Sequence, residues 1–264
     1  MTKPVRALKR GQFRLFIKLI WKAVTTRHPY WGFDEIVRIE KKYGVRSTCF
    51  FLNESIRPQW LEPKSWKLAF GRYNIHDKRI ISVIHELDAD GWEIGVHGSF
   101  RSNSDFGLLK HEKDVLEQIV GHEVIGIRQH YLNFADNTFE IHRKCGFKYD
   151  STWGLTRSIG FKDGKIKPFF PIKGSDYCEI PMTIMDSPFA ETPNKWDVFE
   201  KIVDEIDKNN AYLVINYHNN NFSNSDFLGY DSDYIHMIEI LKNRKAQFMT
   251  MGEAYQQVLN DRKS

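Results

Sequence analysis

The stretch "DKRIISVIHELDADGWEIGVH", residues 77–97, decides the fold class, because a helical pattern passes directly into a strand pattern. Apolar residues recur at helical spacing in its first part, which predicts a helix over 77–91 that ends at Gly91. The apolar run "WEIGVH" then predicts a short buried strand over 92–97. Helices that alternate with strands in this way build parallel sheets.

The same alternation continues along most of the chain. The patterns predict further helices over 32–44, 105–121, 137–146, 195–209 and 231–243, and strands over 47–53, 123–129, 147–152, 178–186, 211–218 and 246–251. Together they predict an α/β fold of parallel strands with outer helices, arranged as an open sheet or as a (β/α) barrel. In both architectures the carboxyl ends of the strands gather on one face, where active sites lie.

The composition is that of a globular protein with one core. The chain has 264 residues, of which 41% are hydrophobic, and no linker or repeat divides it, so we expect a single domain over residues 1–264. The formal charge is only +4 and no nucleic-acid-binding motif is present, so we do not expect nucleic acid as a partner. Cys49, Cys145 and Cys178 lack paired or metal-type spacing, which favours free thiols in a reducing compartment.

Residues 1–31 form a predicted helical segment before the alternation begins. The run "FRLFIKLIWKAV", residues 13–24, is too short and too charged to span a bilayer, since Arg14, Lys18 and Lys22 interrupt it. No cleavage site follows it, so we expect no signal peptide and a cytoplasmic location. An amphipathic helix packed on the core is favoured, with membrane contact as the alternative.

Polar side chains stand at the ends of four predicted strands. They are His97, the group Arg128 to Tyr131, Asp150 with Trp153 just beyond it, and His218. Each alone has an ordinary structural explanation, such as a turn, a helix cap or an ion pair. Together they supply what chemistry at a strand-end site needs, namely metal ligands, a general acid and a group that stabilises an anion. Asp186, at the end of the strand over 178–186, is a further possibility.

The segments "EIGVHGS", "GIRQHY", "YDSTW" and "LVINYH" occur in an order that resembles the polysaccharide deacetylases, the NodB-homology or carbohydrate esterase family 4 enzymes. The resemblance covers about residues 32–255. It implies a distorted or incomplete (β/α) barrel and a divalent metal, usually Zn²⁺. It also implies a hydrolase that removes acetyl groups, by cleaving a non-peptide C–N bond or an ester, from an acetylated sugar or polysaccharide.

The resemblance assigns catalytic roles to four residues. His218 in "LVINYH" would protonate the leaving amine or alkoxide, and Asp150 in "YDSTW" would orient that histidine. Arg128 would brace the catalytic carboxylate. The backbone N–H of Tyr131 would lie in the oxyanion hole, although His130 stands where the family usually has proline.

The same resemblance implies substrate and metal contacts. Trp153 would form a wall of the acetyl pocket. Ser99 is a further expected substrate contact, and the aromatic side chains of Trp153, Phe134 and Phe161 offer stacking surfaces for sugar rings, with an ordinary place in the core as the alternative. His97 would be a metal ligand, and His130 is the expected substitute for a second histidine.

Two features depart from the family pattern. Arg101 stands where the metal motif has its second histidine, and no strand ending in an Asp-Asp pair precedes the first helices. Asp34 begins a predicted helix, so that role is not transferred to it. Either the strand lies outside this chain, which we favour, or the chain has lost metal catalysis. The alternative function is therefore a non-catalytic carbohydrate-binding or assembly protein on the same barrel.

Overall fold

The computed structural model describes residues 7–8, 11–25, 31–54, 73–222 and 229–263. Its backbone forms two compact units. One consists of residues 1–45 and 217–247, and the other of residues 46–216 and 248–264. The expectation of a single domain over residues 1–264 stays a prediction.

Helices and strands alternate along the described residues. In chain order they are α1 (Phe13–Thr25), α2 (Phe33–Tyr43), β1 (Thr48–Leu52), α3 (Lys78–Ala89), β2 (Glu93–Gly98), α4 (Phe106–Val120), β3 (Gly126–Gln129), α5 (Thr138–Lys144), β4 (Tyr149–Asp150), β5 (Cys178–Glu179), β6 (Ile184–Met185), α6 (Asp186–Glu191), α7 (Lys195–Asn209), β7 (Ile215–Asn216), α8 (Tyr230–Asn243) and α9 (Met251–Lys263). Short 3₁₀ turns cover His130–Leu132, Lys162–Gly164 and Asn219–Phe222.

The larger unit is organised around parallel sheet. Strands β1 to β5 form one sheet in chain order, and β6 pairs with β7 in a second, two-stranded sheet. Every strand pair in both sheets is parallel. The α/β fold with parallel strands is therefore confirmed. Among the described residues the two sheets are separate, and whether they belong to a distorted or incomplete barrel stays a prediction.

Two of the outer helices begin and end where the sequence predicts. Asp77 caps α3 by accepting the Arg79 N–H at 3.0 Å, and Asp105 caps α4 by accepting the Leu108 N–H at 3.0 Å. Gly121 ends α4 in the left-handed conformation, with φ of 87°. These caps fix where each helix returns the chain to the sheet.

One cluster of buried apolar residues in the larger unit lies around β4, β5 and α9. Its members are Leu132, Tyr149, Cys178, Ile180, Met182, Val214, Ala254, Tyr255 and Val258. The Tyr149 hydroxyl donates to Glu93 Oε1 at 2.8 Å, which satisfies the phenol within this apolar surrounding. Cys49, Cys145 and Cys178 are free thiols.

The predicted strand over 178–186 is wrong as a single element. The Ile180 N–H donates to Asp150 O, the Met182 N–H to Trp153 O, and the Thr183 N–H to Val214 O. The segment thus leaves β4 and joins β7, because its successive N–H groups find carbonyls on different neighbours. It forms β5 and β6 instead of one strand. The strand over 211–218 is likewise reduced to Ile215–Asn216.

The predicted strand over 246–251 is not formed. Side chains, not a neighbouring strand, accept the N–H groups at its end: Met251 N donates to Thr48 Oγ1 at 2.8 Å, and Gly252 N donates to Glu93 Oε2 at 2.7 Å. These bonds satisfy the first N–H groups of α9, so the helix begins at Met251.

The smaller unit is helical in its described part. Glu40 on α2 is buried and accepts from the Tyr234 hydroxyl on α8 at 2.7 Å. Helix α1 lies within the segment over 1–31, of which residues 1–6, 9–10 and 26–30 are outside the described residues. The expected packing of its apolar face on a core is wrong, since Phe13 and Ile17 are 64% and 65% exposed. No helix among the described residues has the length and apolar character to cross a membrane.

Candidate active site at the carboxyl ends of the strands

His97 lies next to the last residue of β2, beside the carboxyl end of β3. Its Nδ1 is 2.7 Å from the Arg128 carbonyl oxygen, which accepts only, so Nδ1 carries the proton and donates. Nε2 is then the ring nitrogen with a lone pair. The His97 ring meets the His130 ring edge to face, with centroids 5.1 Å apart.

His130 follows β3 directly and faces a carboxylate. Its Nδ1 is buried, has no hydrogen-bond partner among the described residues, and lies 3.8 Å from Glu54 Oε2. Glu54 is two residues beyond β1 and is buried. It accepts the Phe100 N–H at 3.0 Å, so this carboxylate also holds the turn after β2.

Arg128 on β3 is buried and bonds to the segment after β4. Its Nε donates to the Ser151 carbonyl and its second guanidinium nitrogen to Ser151 Oγ, both at 2.9 Å. The third donor reaches Asn216 Oδ1 on β7 at 3.0 Å. Burial lowers the pKa of Arg128 to about 10, which leaves it charged at neutral pH. Arg128 thus fixes the backbone that follows Asp150.

Asp150 and Glu179 are register partners at the ends of β4 and β5, and both are fully buried. Asp150 Oδ1 accepts from the Thr152 hydroxyl at 2.5 Å. Glu179 Oε1 accepts the Trp153 N–H at 3.0 Å. Burial, together with the Asp150 carboxylate beside it, raises the pKa of Glu179 well above its usual range.

A buried polar chain leads from Asp150 back to the turn after β2. His142 on α5 places Nδ1 3.3 Å from Asp150 Oδ2 and 3.0 Å from the Tyr177 hydroxyl. The Gln129 amide is oriented so that its nitrogen donates to the carbonyls of Gly98 and Ser99, at 3.2 and 3.1 Å, and its oxygen accepts from His142 Nε2 at 2.9 Å. Nε2 therefore carries the His142 proton.

The turn after β2 is held by a second glutamate from α4. Glu112 Oε2 accepts the Ser99 N–H at 3.1 Å. Burial raises the pKa of Glu112 to about 7, so this carboxyl titrates near neutral pH. Beyond the turn an open groove of about 770 Å³ is lined by Phe100, Arg101, Asn103, Ser104, Asp105, Phe106, Gly107 and Asn133.

A cluster of half-buried aromatic rings lies beside the ends of β4 and β5. Phe134 meets Trp153 edge to face at 5.3 Å between centroids, and Phe139 and Phe169 each lie 6.2 Å from the Trp153 ring. The Lys162 ammonium lies 4.1 Å from the centroid of Trp153, a cation–π distance. These rings give the site a partly apolar, partly cationic surface.

Two other predicted residues are more exposed. The Tyr131 side chain is 56% exposed, and its backbone has φ of 60°, a left-handed conformation that tyrosine rarely adopts. Conformations of this kind concentrate at functional sites. His218 is exposed and belongs to the smaller unit, two residues beyond β7.

The described residues do not fit a catalytic zinc ion. Such a site takes three protein ligands, whereas no three His, Cys, Asp or Glu side chains in the described ranges are placed to hold one ion. His97 and His130 face each other as a pair, and the nearest carboxylate, Glu54, is 3.8 Å from His130 Nδ1. The chemistry considered below therefore uses no metal-bound step.

The larger unit brings together most of the residues singled out from sequence. His97, Arg128, His130, Asp150 and Trp153 lie at or just beyond the ends of neighbouring strands. Ser99 follows β2 and is fully buried. Phe134 is in the aromatic cluster, whereas Phe161 is half-buried in the loop that precedes Lys162. Asp186 begins α6, where it accepts the Ser187 N–H.

The sequence patterns do not single out four buried polar residues of the site, namely Glu54, Glu112, His142 and Glu179. Glu179 lay inside the overlong strand predicted over 178–186, so its position at a strand end was hidden. His142 lies in the middle of a predicted helix, away from any strand end, and its contact with Asp150 follows only from the fold. A buried glutamate at Glu112 was signalled by its place between the apolar positions of α4.

This is an α/β protein with a site at the carboxyl ends of its parallel strands. Solved structures that superpose on the chain specify the fold further. A structure from Mycobacterium smegmatis assigned as a polysaccharide deacetylase superposes with a TM-score of 0.63 at 15% identity, over 98% of this chain and 84% of that chain. One from Pseudomonas aeruginosa PAO1 with the same assignment gives 0.59 at 16%, over 90% and 74%. A peptidoglycan N-acetylglucosamine deacetylase gives 0.50 at 13%, over 85% and 82%.

The chain therefore has the fold of the polysaccharide deacetylases. At these identities the likeness establishes the fold and leaves the activity to be argued from the site. No protein-family model and no curated protein matches the sequence.

Proposed function

We propose that this protein is a hydrolase that removes acetyl groups from an acetylated sugar or polysaccharide. The observation that carries the proposal is the arrangement of His97, Arg128 and Asp150 at the ends of three neighbouring strands. Active sites of parallel α/β folds lie at this edge. The fold is the one that the solved deacetylases share, which supports the choice of reaction.

In the proposed reaction a water molecule releases a proton to solvent as its oxygen adds to the acetyl carbonyl carbon. The C–N bond of an amide or the C–O bond of an ester then breaks, which releases acetate and a free amine or hydroxyl. His218 supplies the proton that the leaving nitrogen or oxygen requires, and the Tyr131 N–H donates to the oxyanion. Arg128 positions the segment after Asp150 through its two bonds to Ser151.

The aromatic cluster is the proposed sugar-binding surface. Trp153 and Phe134 present half-buried rings next to the strand ends, and apolar faces of sugar rings stack on such side chains. The family resemblance also implies that the reaction depends on Zn²⁺, with His97 and His130 as ligands. This dependence is tested separately because the described residues provide no third ligand.

The test measures acetate released from N-acetylated and O-acetylated oligosaccharides by the wild type, His218→Ala and His236→Ala. His236 is the matched control, because it is an exposed histidine of the same unit, on α8. We expect His218→Ala to lower turnover by about 100-fold or more, the usual effect of losing a general acid, while His236→Ala leaves it unchanged. Equal turnover in His218→Ala and wild type would remove the acid assignment. Parallel assays with a chelator and with added Zn²⁺ or Co²⁺ test metal dependence.

A non-catalytic saccharide-binding protein is the second candidate. It is favoured by one observation, the lack of a three-ligand metal group among the described residues. It predicts that the protein binds acetylated oligosaccharides with an affinity unaffected by chelator, and that no acetate forms with any metal added.

A further inference from the structure

Two buried carboxyl oxygens at the ends of β4 and β5 lack a hydrogen-bond donor. Asp150 Oδ2 and Glu179 Oε2 are both inaccessible to solvent, and neither has a hydrogen-bond partner among the described residues when both groups are ionised. Their residues are direct register partners on adjacent parallel strands. Two ionised carboxylates at such a position repel each other and have no water to screen them.

One proton bound by the pair removes both the repulsion between the carboxylates and the lack of a hydrogen bond at each oxygen. Glu179 Oε1 already accepts the Trp153 N–H, so a proton on Oε2 turns the unsatisfied atom into a donor toward Asp150. Asp150 Oδ2 then has a donor, while Oδ1 keeps its bond from Thr152. A single proton thus satisfies two buried atoms.

The other groups that face the pair leave this proton in place. From β3, three N–H groups of Arg128 donate to Ser151 and Asn216. From α5, His142 carries its proton on Nε2, which donates to Gln129, so Nδ1 accepts from the Tyr177 hydroxyl. His142 Nδ1 and the Tyr177 hydroxyl both face Asp150 as well, and the Tyr177 proton is directed to Nδ1, so it does not replace the shared proton. Arg128 supplies a positive charge that stabilises the one negative charge remaining on the pair.

We propose that Asp150 and Glu179 share one proton at neutral pH and that Glu179 is a positioning residue of the site, acting through the backbone of Trp153. Glu179 accepts the Trp153 N–H, so this carboxyl holds the backbone at the start of the loop that carries the indole. The Trp153 carbonyl is held separately, by the Met182 N–H. The proton sharing stands apart from the proposed hydrolysis, whereas the positioning role rests on Trp153 contacting the saccharide.

Through Asp150, Glu179 is connected by buried hydrogen bonds to the turn after β2. Asp150 lies beside His142, and His142 donates through Gln129 to the carbonyls of Gly98 and Ser99. The ends of β2, β3, β4 and β5 are thereby linked by one chain of buried polar groups. Loss of the shared proton places a second negative charge at one end of that chain.

Glu179→Gln tests the proton directly, because glutamine keeps both bonds: its oxygen accepts from Trp153 and its amide donates to Asp150. The unfolded chain ionises Glu179 near 4.5, while the folded chain keeps the proton, so wild-type stability falls as pH rises above that value. The folding equilibrium constant decreases by up to about tenfold per pH unit from this group. We expect urea unfolding above about pH 7 to show this slope in the wild type for as long as the folded pair keeps its proton, and a correspondingly flatter profile in Glu179→Gln.

Glu112→Gln is the matched control, since Glu112 is also a buried glutamate but titrates near 7. Its pH profile above that value should parallel the wild type. Infrared spectroscopy of the folded wild type above about pH 8 should show the carbonyl band of a protonated carboxylic acid, and Glu179→Gln should lack it. Parallel profiles for wild type and Glu179→Gln, or no such band in the wild type, would overturn the proposal. The infrared reading needs no variant to fold.

The positioning role has its own readout. Glu179→Ala leaves the Trp153 N–H without its acceptor, so we expect KM, or the Kd for an acetylated oligosaccharide, to rise at least about tenfold, with Glu179→Gln restoring it. An unchanged KM and Kd in Glu179→Ala would remove this role. If the wild type neither binds nor hydrolyses any saccharide, the proposed function fails while the proton measurement still decides the sharing.

Discussion

At the residue scale, the turn after β2 depends on two buried carboxyl groups that reach it from different elements. Glu112 accepts the Ser99 N–H, and Glu54 accepts the next N–H, that of Phe100. A buried N–H without an acceptor is destabilising by about 1–3 kcal/mol, so each glutamate contributes by satisfying one. The turn carries Ser99 and follows His97, and these carboxyl groups therefore set the geometry of one side of the site.

Glu112→Gln is predicted to change how stability depends on pH. The pKa of Glu112 is raised from 4.5 to about 7, so the folded chain holds a proton that the unfolded chain releases in this range. Wild-type stability therefore falls as pH rises from about 4.5 to about 7, by up to roughly 3 kcal/mol from this group. Glutamine cannot titrate, so the variant should lack this part of the fall in urea unfolding.

Glu123→Gln is the control for that experiment, because Glu123 is exposed on the surface of the same unit. Its pH profile should coincide with the wild type. If Glu112→Gln and Glu123→Gln gave the same profile across this range, the raised pKa of Glu112 would be wrong.

A residue at a strand end could be predicted from the sequence wherever the strand itself was predicted correctly. His97 and Arg128 follow short apolar runs and precede turn residues, so their positions could be recognised from local pattern. Glu179 could not, because the hydrogen bonds that end β5 come from the loop after β4 and from Val214, far away in the chain. The contact between His142 and Asp150 depends likewise on where α5 lies, which local pattern does not specify.

At the scale of elements, β3 and β4 approach each other too closely for a side chain at one position. A Cβ on Gly126 would lie 2.1 Å from the Tyr149 hydroxyl, and Tyr149 is fully buried in the core. The phenol also donates to Glu93 on β2, so the ring cannot move without breaking that bond. The glycine therefore permits the packing that places Asp150 beside β3.

Gly126→Ala is predicted to destabilise the protein by about 1–3 kcal/mol, the usual range for an overpacked core. Gly107→Ala is the matched control: its Cβ would meet nothing closer than 3.6 Å, and it lies in helix α4. Alanine there should be neutral or stabilising by up to about 1 kcal/mol. Thermal or urea unfolding of both variants decides the matter, and equal stability of the two would contradict the close packing of β3 on Tyr149.

Helices were predicted more accurately than strands for a physical reason. The ends of α3 and α4 are determined by caps within a few residues, such as Asp77 and Gly121. Strand ends depend on partners, and Met251 shows this well, since its N–H bonds to the Thr48 side chain and a helix begins in place of the expected strand. Local sequence does not contain that information.

At the scale of the whole molecule, the parallel sheet is what makes a site from separated sequence segments. His97, Arg128, Asp150 and Glu179 come from four strands, and neighbouring strands place them at one edge. The alternating pattern and the four motifs were sufficient to predict the fold class that the solved deacetylases share. A complete set of the family's metal ligands could not be predicted, because Arg101 stands in place of one histidine ligand. The described residues also offer no third ligand beside His97 and His130.

The most direct test of the proposed function is the balance of products from an N-acetylated oligosaccharide. The wild type should release acetate and expose one free amine for each acetate formed, and Asp150→Asn should lower the rate by about 100-fold or more by neutralising a carboxylate of the site. Glu123→Gln, which changes an exposed carboxylate of the same unit, should match the wild type. Acetate formed equally fast by Asp150→Asn, or none formed by the wild type under any metal condition while it binds the saccharide, would contradict the hydrolase.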